Sequence, residues 1–134
     1  MYYTRVVYPE KLLEHFQHPR NVGELAPPAV VVEVSNPACG DILRLSARIR
    51  GGVVEEARYK VRGCTASIAA GSALTEWLTG KTIAEIAAFD TSIVDEAVGG
   101  LPAESKHAAA LCRDGVKALL RVPVAQADVD AGSL

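Results

Sequence analysis

A chain of 134 residues with 49% hydrophobic and 22% charged side chains has the length and composition of one globular domain, and collagen-like, coiled-coil and wholly disordered classes do not fit it. Fourteen Lys and Arg against sixteen Asp and Glu leave a net charge of -2, without the basic excess of a general nucleic-acid binder. No apolar run approaches the roughly 20 residues that span a bilayer, and Met1-Tyr2-Tyr3-Thr4-Arg5 lacks the basic-then-apolar pattern of a signal peptide. A cytoplasmic protein with neither membrane nor nucleic-acid partners is expected.

Pro9 at a first helical position, with Leu12, Leu13 and Phe16 in register with Tyr8, predicts a short amphipathic helix over residues 9–17 that ends in His18-Pro19-Arg20-Asn21-Val22-Gly23. His15 and His18 read as surface residues. Residues 29–35 are valine-rich between Pro27-Pro28 and Asn36-Pro37, which predicts a strand between turns. From Asp41, Leu43, Leu45, Ala47 and Ile49 alternate with polar residues, and after Gly51-Gly52 the residues Ala57, Tyr59 and Val61 do the same, the pattern of a hairpin with one buried face. A two-residue loop would set Leu45 against Arg58. A three-residue loop through Val53 sets Leu45 against Tyr59 and Ala47 against Ala57, so burial selects the longer loop.

Residues 65–79 are crowded with small side chains and end at Gly80, predicting a helix packed closely on the sheet and closed by glycine. Thr82-Ile83-Ala84-Glu85 fits a capping box, and a further turn or two is expected from Ser92 to Val98. The last helix is expected over Glu104 to Leu120, because Ala108, Leu111, Cys112, Gly115, Val116 and Leu119 recur on one face. One domain over residues 1–122 and an unstructured tail over 123–134 are expected.

Cys64 stands 25 positions after Cys39, and Cys112 stands 48 positions after Cys64, an odd set that makes no disulfide framework. Cys39 and Asp41 stand in the loop Asn36-Pro37-Ala38-Cys39-Gly40-Asp41, and Cys64 follows the hairpin's second strand. Antiparallel pairing makes the start of one strand and the end of the other neighbours, so Cys39, Asp41 and Cys64 are expected to converge. A helix opening after Cys64 aims unpaired N–H groups at its sulfur, a setting suited to metal binding or nucleophilic attack. His107, at the start of the last helix, would complete a donor group of two sulfurs, a carboxylate and an imidazole for zinc or iron. Taken singly, each residue has a plainer reading. Free cysteines pack in cores, Cys112 lies on an apolar stripe, and a histidine at a helix start is often only solvated. Arg44, Arg48, Arg50, Arg58, Lys60 and Arg62 read as a solvated sheet surface partly balanced by Glu56, with a docking patch as the lesser alternative.

Taken together, several pieces resemble the IscU/NifU family of iron-sulfur cluster assembly scaffolds from about Tyr8 to Leu120. They are Tyr8 through His18 with Pro19-Arg20-Asn21-Val22-Gly23, Pro37-Ala38-Cys39-Gly40-Asp41, Gly63-Cys64 with Ile68-Ala69, Thr75-Glu76-Trp77, Gly80-Lys81, Leu101-Pro102 and His107. The resemblance implies an α+β, IscU/SufE-like fold, a small three-stranded antiparallel sheet with helices packed on it. It also implies a site for a nascent [2Fe-2S] cluster, iron or a zinc ion, and as partners a cysteine desulfurase and apo-protein recipients. Two departures stand out. The family usually carries a cysteine directly after the histidine, the one expected to receive sulfur from the desulfurase, whereas His107 is followed by Ala108-Ala109-Ala110 and the third thiol appears at Cys112. That thiol is four residues past Ala108, about 6 Å farther along the helix axis, which weakens Cys112 as a substitute ligand. Ala103-Glu104-Ser105 stands where the family reads Pro-Val-Lys, which weakens the case for a heat-shock chaperone partner. The expected function is a non-enzymatic scaffold or carrier that binds its cargo through Cys39, Asp41, Cys64 and His107. The alternatives are a degenerate zinc-binding interaction or regulatory protein of the same fold and a sulfur acceptor based on Cys64.

Overall fold

The computed structural model describes residues 7–38 and 40–122. The order of elements is α1 (Glu10–Gln17), β1 (Val30–Ser35), β2 (Ile42–Arg50), β3 (Val53–Arg62), α2 (Thr65–Leu78), α3 (Ile83–Ala87), α4 (Thr91–Ala97), a 3-10 turn at Ala103–Ser105, and α5 (His107–Leu120). The strands form one antiparallel sheet in the order β1-β2-β3, the expected α+β arrangement. Among the described residues no helix is long and apolar enough to cross a membrane. The tail expected from residue 123 lies outside the described residues.

Alternation on β2 decides which face is covered. Leu43, Leu45, Ala47 and Ile49 are all buried, and they pair with Val34, Leu45's partner Val32, and Val30 on one side and with Val61, Tyr59, Ala57 and Val54 on the other. Helices α2 and α5 lie on this apolar face, each brought close by a glycine. A side chain at Gly71 would collide with the Tyr59 ring, and one at Gly115 would come within 2.8 Å of Leu43. The buried alanines 66, 69, 70 and 73 keep the rest of α2 equally near. Tyr59 also donates its hydroxyl proton to the Ile68 carbonyl at 2.8 Å, tying sheet to helix.

The hairpin register is the expected one, Leu45 opposite Tyr59 and Ala47 opposite Ala57, but it is reached differently. The turn is a two-residue Gly51-Gly52 turn with both φ angles positive, since β3 begins at Val53. The register shifts between Arg48 and Ile49, where Arg48 faces Glu56 and Ile49 faces Val54. Glu55 is therefore the extra residue of a β-bulge. The bulge turns Glu55 outward and lets Val54 join Ala57 and Tyr59 on the buried face, an arrangement that simple alternation does not permit.

Three further differences concern the helices. His15, expected at the surface, is buried: its Nδ1 lies 2.8 Å from Ser72 Oγ, which also accepts the Arg20 backbone N–H at 2.9 Å. His18 is exposed as expected, and so is much of Phe16. Helix α4 spans Thr91–Ala97, one residue earlier than expected. The last helix does not run unbroken from Glu104. Ser105 donates to the Pro102 carbonyl at 2.8 Å to make a tight turn first, so α5 begins at His107. The basic side chains of the sheet surface are more fully balanced than Glu56 alone would allow: Arg44 pairs with Glu24 and Glu33, Arg48 and Arg58 share Glu56, and Arg50 lies 3.7 Å from Glu55.

Candidate metal centre

The site forms where three chain segments end together. Main-chain bonds shape the loop before β2, with the Asn36 N–H donating to the Asp41 carbonyl at 2.9 Å and the Gly40 N–H to the Asn36 carbonyl at 2.7 Å. Pairing of Ile42 with Arg62 then brings Asp41 beside Gly63, and Cys64 follows as the N-cap residue of α2. From the other side, the break before α5 presents His107 as that helix's first residue.

The donor atoms face one another. Cys64 Sγ lies 3.6 Å from Asp41 Oδ2 and 3.7 Å from His107 Nε2, and His107 Nε2 lies 3.6 Å from the same Asp41 oxygen. Among the described residues these three form the group of potential ligands whose donor atoms all lie within 4.8 Å of one another. Asp41 is nearly buried while Cys64 and His107 are half-exposed, so the group is open on the sulfur and imidazole side. A soft thiol, a borderline imidazole and a hard carboxylate suit iron or zinc. Burial alone would raise the Asp41 carboxyl. The Ser67 hydroxyl, the Cys64 backbone N–H and thiol, and His107 together outweigh that effect and hold it below its ordinary value, ready to act as an anionic ligand.

Cys39, two positions before Asp41 in the sequence, lies outside the described residues. Cys112 stands apart from the cluster. It is buried in the core, and burial pushes its thiol up to about 12, so it resists the deprotonation that metal binding requires. Ala108 is likewise fully buried and offers no donor.

The sequence reading gives two residues of the site no role of their own. Ser67 donates a 2.5 Å hydrogen bond to Asp41 Oδ2 and has its Oγ 3.4 Å from Cys64 Sγ. A hydroxyl three positions after an N-cap residue is the only sequence signal for it, and in a run of Ala, Ser and Gly it reads as packing. Gly63 is the second: a Cβ there would lie 2.6 Å from the Asp41 carboxyl carbon, so only glycine leaves room for the carboxylate.

Residues 7–122 match the family described as NifU-like N terminal domain. The chain belongs to that family. Among relatives, it is 37% identical over 111 residues to iron-sulfur cluster assembly scaffold protein IscU 1 of Archaeoglobus fulgidus, covering 83% of this chain and 72% of that protein. It is 35% identical over 120 residues to iron-sulfur cluster assembly scaffold protein IscU of Azotobacter vinelandii, covering 87% and 93%. Two solved structures share the fold of this NifU-type domain. FiSufU from Fervidobacterium islandicum superposes with a TM-score of 0.68 at 19% identity over 85% of this chain and 96% of that one. A NifU-like protein (N-terminal) from Brucella abortus gives 0.58 at 21% identity over 93% and 88%.

Proposed function

We propose that this chain is an iron-sulfur cluster scaffold or carrier, which binds iron or a [2Fe-2S] cluster as cargo through Cys39, Asp41, Cys64 and His107 and passes it to apo-proteins. The observation that carries this is the convergence of Asp41 Oδ2, Cys64 Sγ and His107 Nε2 at 3.6–3.7 Å, in a chain whose relatives are named as scaffolds of this kind. Mixed ligation at a half-exposed site favours a cluster that can leave, since an accessible and partly oxygen-ligated metal exchanges more readily than one sealed among four thiolates. The chain's part is to hold and hand on rather than to catalyse, and its partners are apo-protein recipients and a cysteine desulfurase, with the cytoplasm as its compartment. Anaerobic reconstitution with ferrous iron and sulfide, followed by visible absorption and metal analysis, tests the reading. A sulfide-to-iron absorption band with matching iron and sulfide content is expected. Uptake of zinc alone, with no such band, would support a degenerate zinc-binding protein instead.

A further inference from the structure

One oxygen of Asp41 meets the side chains of Ser67, Cys64 and His107. Oδ2 accepts the Ser67 hydroxyl at 2.5 Å and faces Cys64 Sγ and His107 Nε2 at 3.6 Å each. A carboxylate oxygen has room for a hydrogen bond and a further partner, so the Ser67 bond fixes the carboxylate without occupying the direction in which the sulfur and imidazole meet. Ser67 is itself buried and sits in the first turn of α2, the helix that Cys64 caps. Hydroxyl and sulfur are thus carried by one rigid turn. Gly63, with its missing side chain, closes the other side of the carboxylate.

We propose that Ser67 is a positioning residue for metal capture, which holds Asp41 with Oδ2 turned inward and locks it to the turn that carries Cys64. This rests on the reading that Asp41 is a ligand. Without the hydroxyl the carboxylate keeps the Cys64 backbone N–H as a partner but loses the bond that fixes Oδ2, and binding must supply the ordering that Ser67 now provides in advance. Hydrogen-bond partners of a ligand influence affinity by about 10- to 100-fold when removed.

The test uses Zn2+ as probe, with affinity measured by competition against a chromophoric chelator and folding monitored in parallel by urea unfolding. Ser67→Ala, a smaller residue well suited to a helix, is expected to bind Zn2+ about 10-fold or more weakly, while Ser67→Thr, which keeps the hydroxyl, restores most of the affinity. In an Asp41→Ala background the effect of Ser67→Ala should vanish. Unchanged affinity in Ser67→Ala, equal weakening by Thr and Ala, or an undiminished loss in the Asp41→Ala background would each overturn the role of Ser67. If Asp41→Ala alone binds Zn2+ as the parent does, Asp41 is no ligand, and the reading of the site fails together with this one. If Asp41→Ala binds weakly and Ser67→Ala does not, only the present inference fails.

Discussion

The chain uses the same two chemistries in two settings. At the open end of the hairpin, Cys64 and His107 are half-exposed and face each other and Asp41 across less than 4 Å. In the body of the fold, Cys112 and His15 are buried, the thiol among apolar side chains and the imidazole against Ser72 and Glu76. Residue type is common to both pairs, whereas access and partners differ. A thiol and an imidazole become a donor set only where they share a vertex with a carboxylate and with solvent. Elsewhere they are packing and a helix-to-helix lock.

The largest effect should separate the two cysteines. Cys64→Ser is expected to lose reconstituted iron, while Cys112→Ala keeps it and loses only about 1 kcal/mol of stability as a modest core truncation. Iron content after gel filtration and urea midpoints measure both, and equal loss of iron in the two variants would erase the contrast. Gly63→Ala tests whether the open end depends on its close packing. With a methyl group 2.6 Å from the Asp41 carboxyl carbon, the carboxylate must move, so metal affinity should fall together with about 1–3 kcal/mol of stability from overpacking. A Gly63→Ala protein that binds metal normally would show that the loop yields freely.

The smallest effect concerns the buried His15. Burial, with the Arg20 charge nearby, holds His15 below its ordinary value despite Glu76 and Glu14. The unfolded chain then takes up this proton near its usual value of about 6.5, before the folded chain does. Stability from this residue is complete above that pH and declines as the pH falls below it. Urea unfolding at a series of pH values should show a shallow decline on the acid side of about 6.5 that is reduced in His15→Asn. An identical profile in the variant would place the titration elsewhere.

Much of this is legible in the sequence. Alternation along Leu43 to Ile49 and Ala57 to Val61 predicts the buried face, and antiparallel pairing predicts that Cys39, Asp41 and Cys64 converge, as Asp41 and Cys64 do, while Cys39 lies outside the described residues. The small residues of α2 announced a close helix, and the apolar stripe of α5 announced that Cys112 faces inward. What stayed hidden depends on contacts between distant segments. His15 reads as polar surface because its partner, Ser72, is 57 positions away. Ser67 is indistinguishable from the small packing residues around it until Asp41 is brought above it. The bulge escapes because Glu55 and Glu56 look alike in sequence, and only the burial of Val54 selects which of them is extruded.

That bulge also divides the hairpin into two halves with different neighbours. The extra residue is absorbed between the Gly51-Gly52 turn and the pairing of Arg48 with Glu56, and from Arg48 to Ile42 the pairing runs in regular register down to Asp41 and Gly63. Beyond it the turn end is tied to the segment after α2, where the Ile83 N–H donates to the Gly52 carbonyl at 3.0 Å, the Val54 N–H to the Lys81 carbonyl at 2.9 Å and the Gly80 N–H to the Val54 carbonyl at 2.8 Å. One hairpin thus grips α2 at both ends, through Cys64 at the pole of the site and through Gly80 and Lys81 at the pole of the turn.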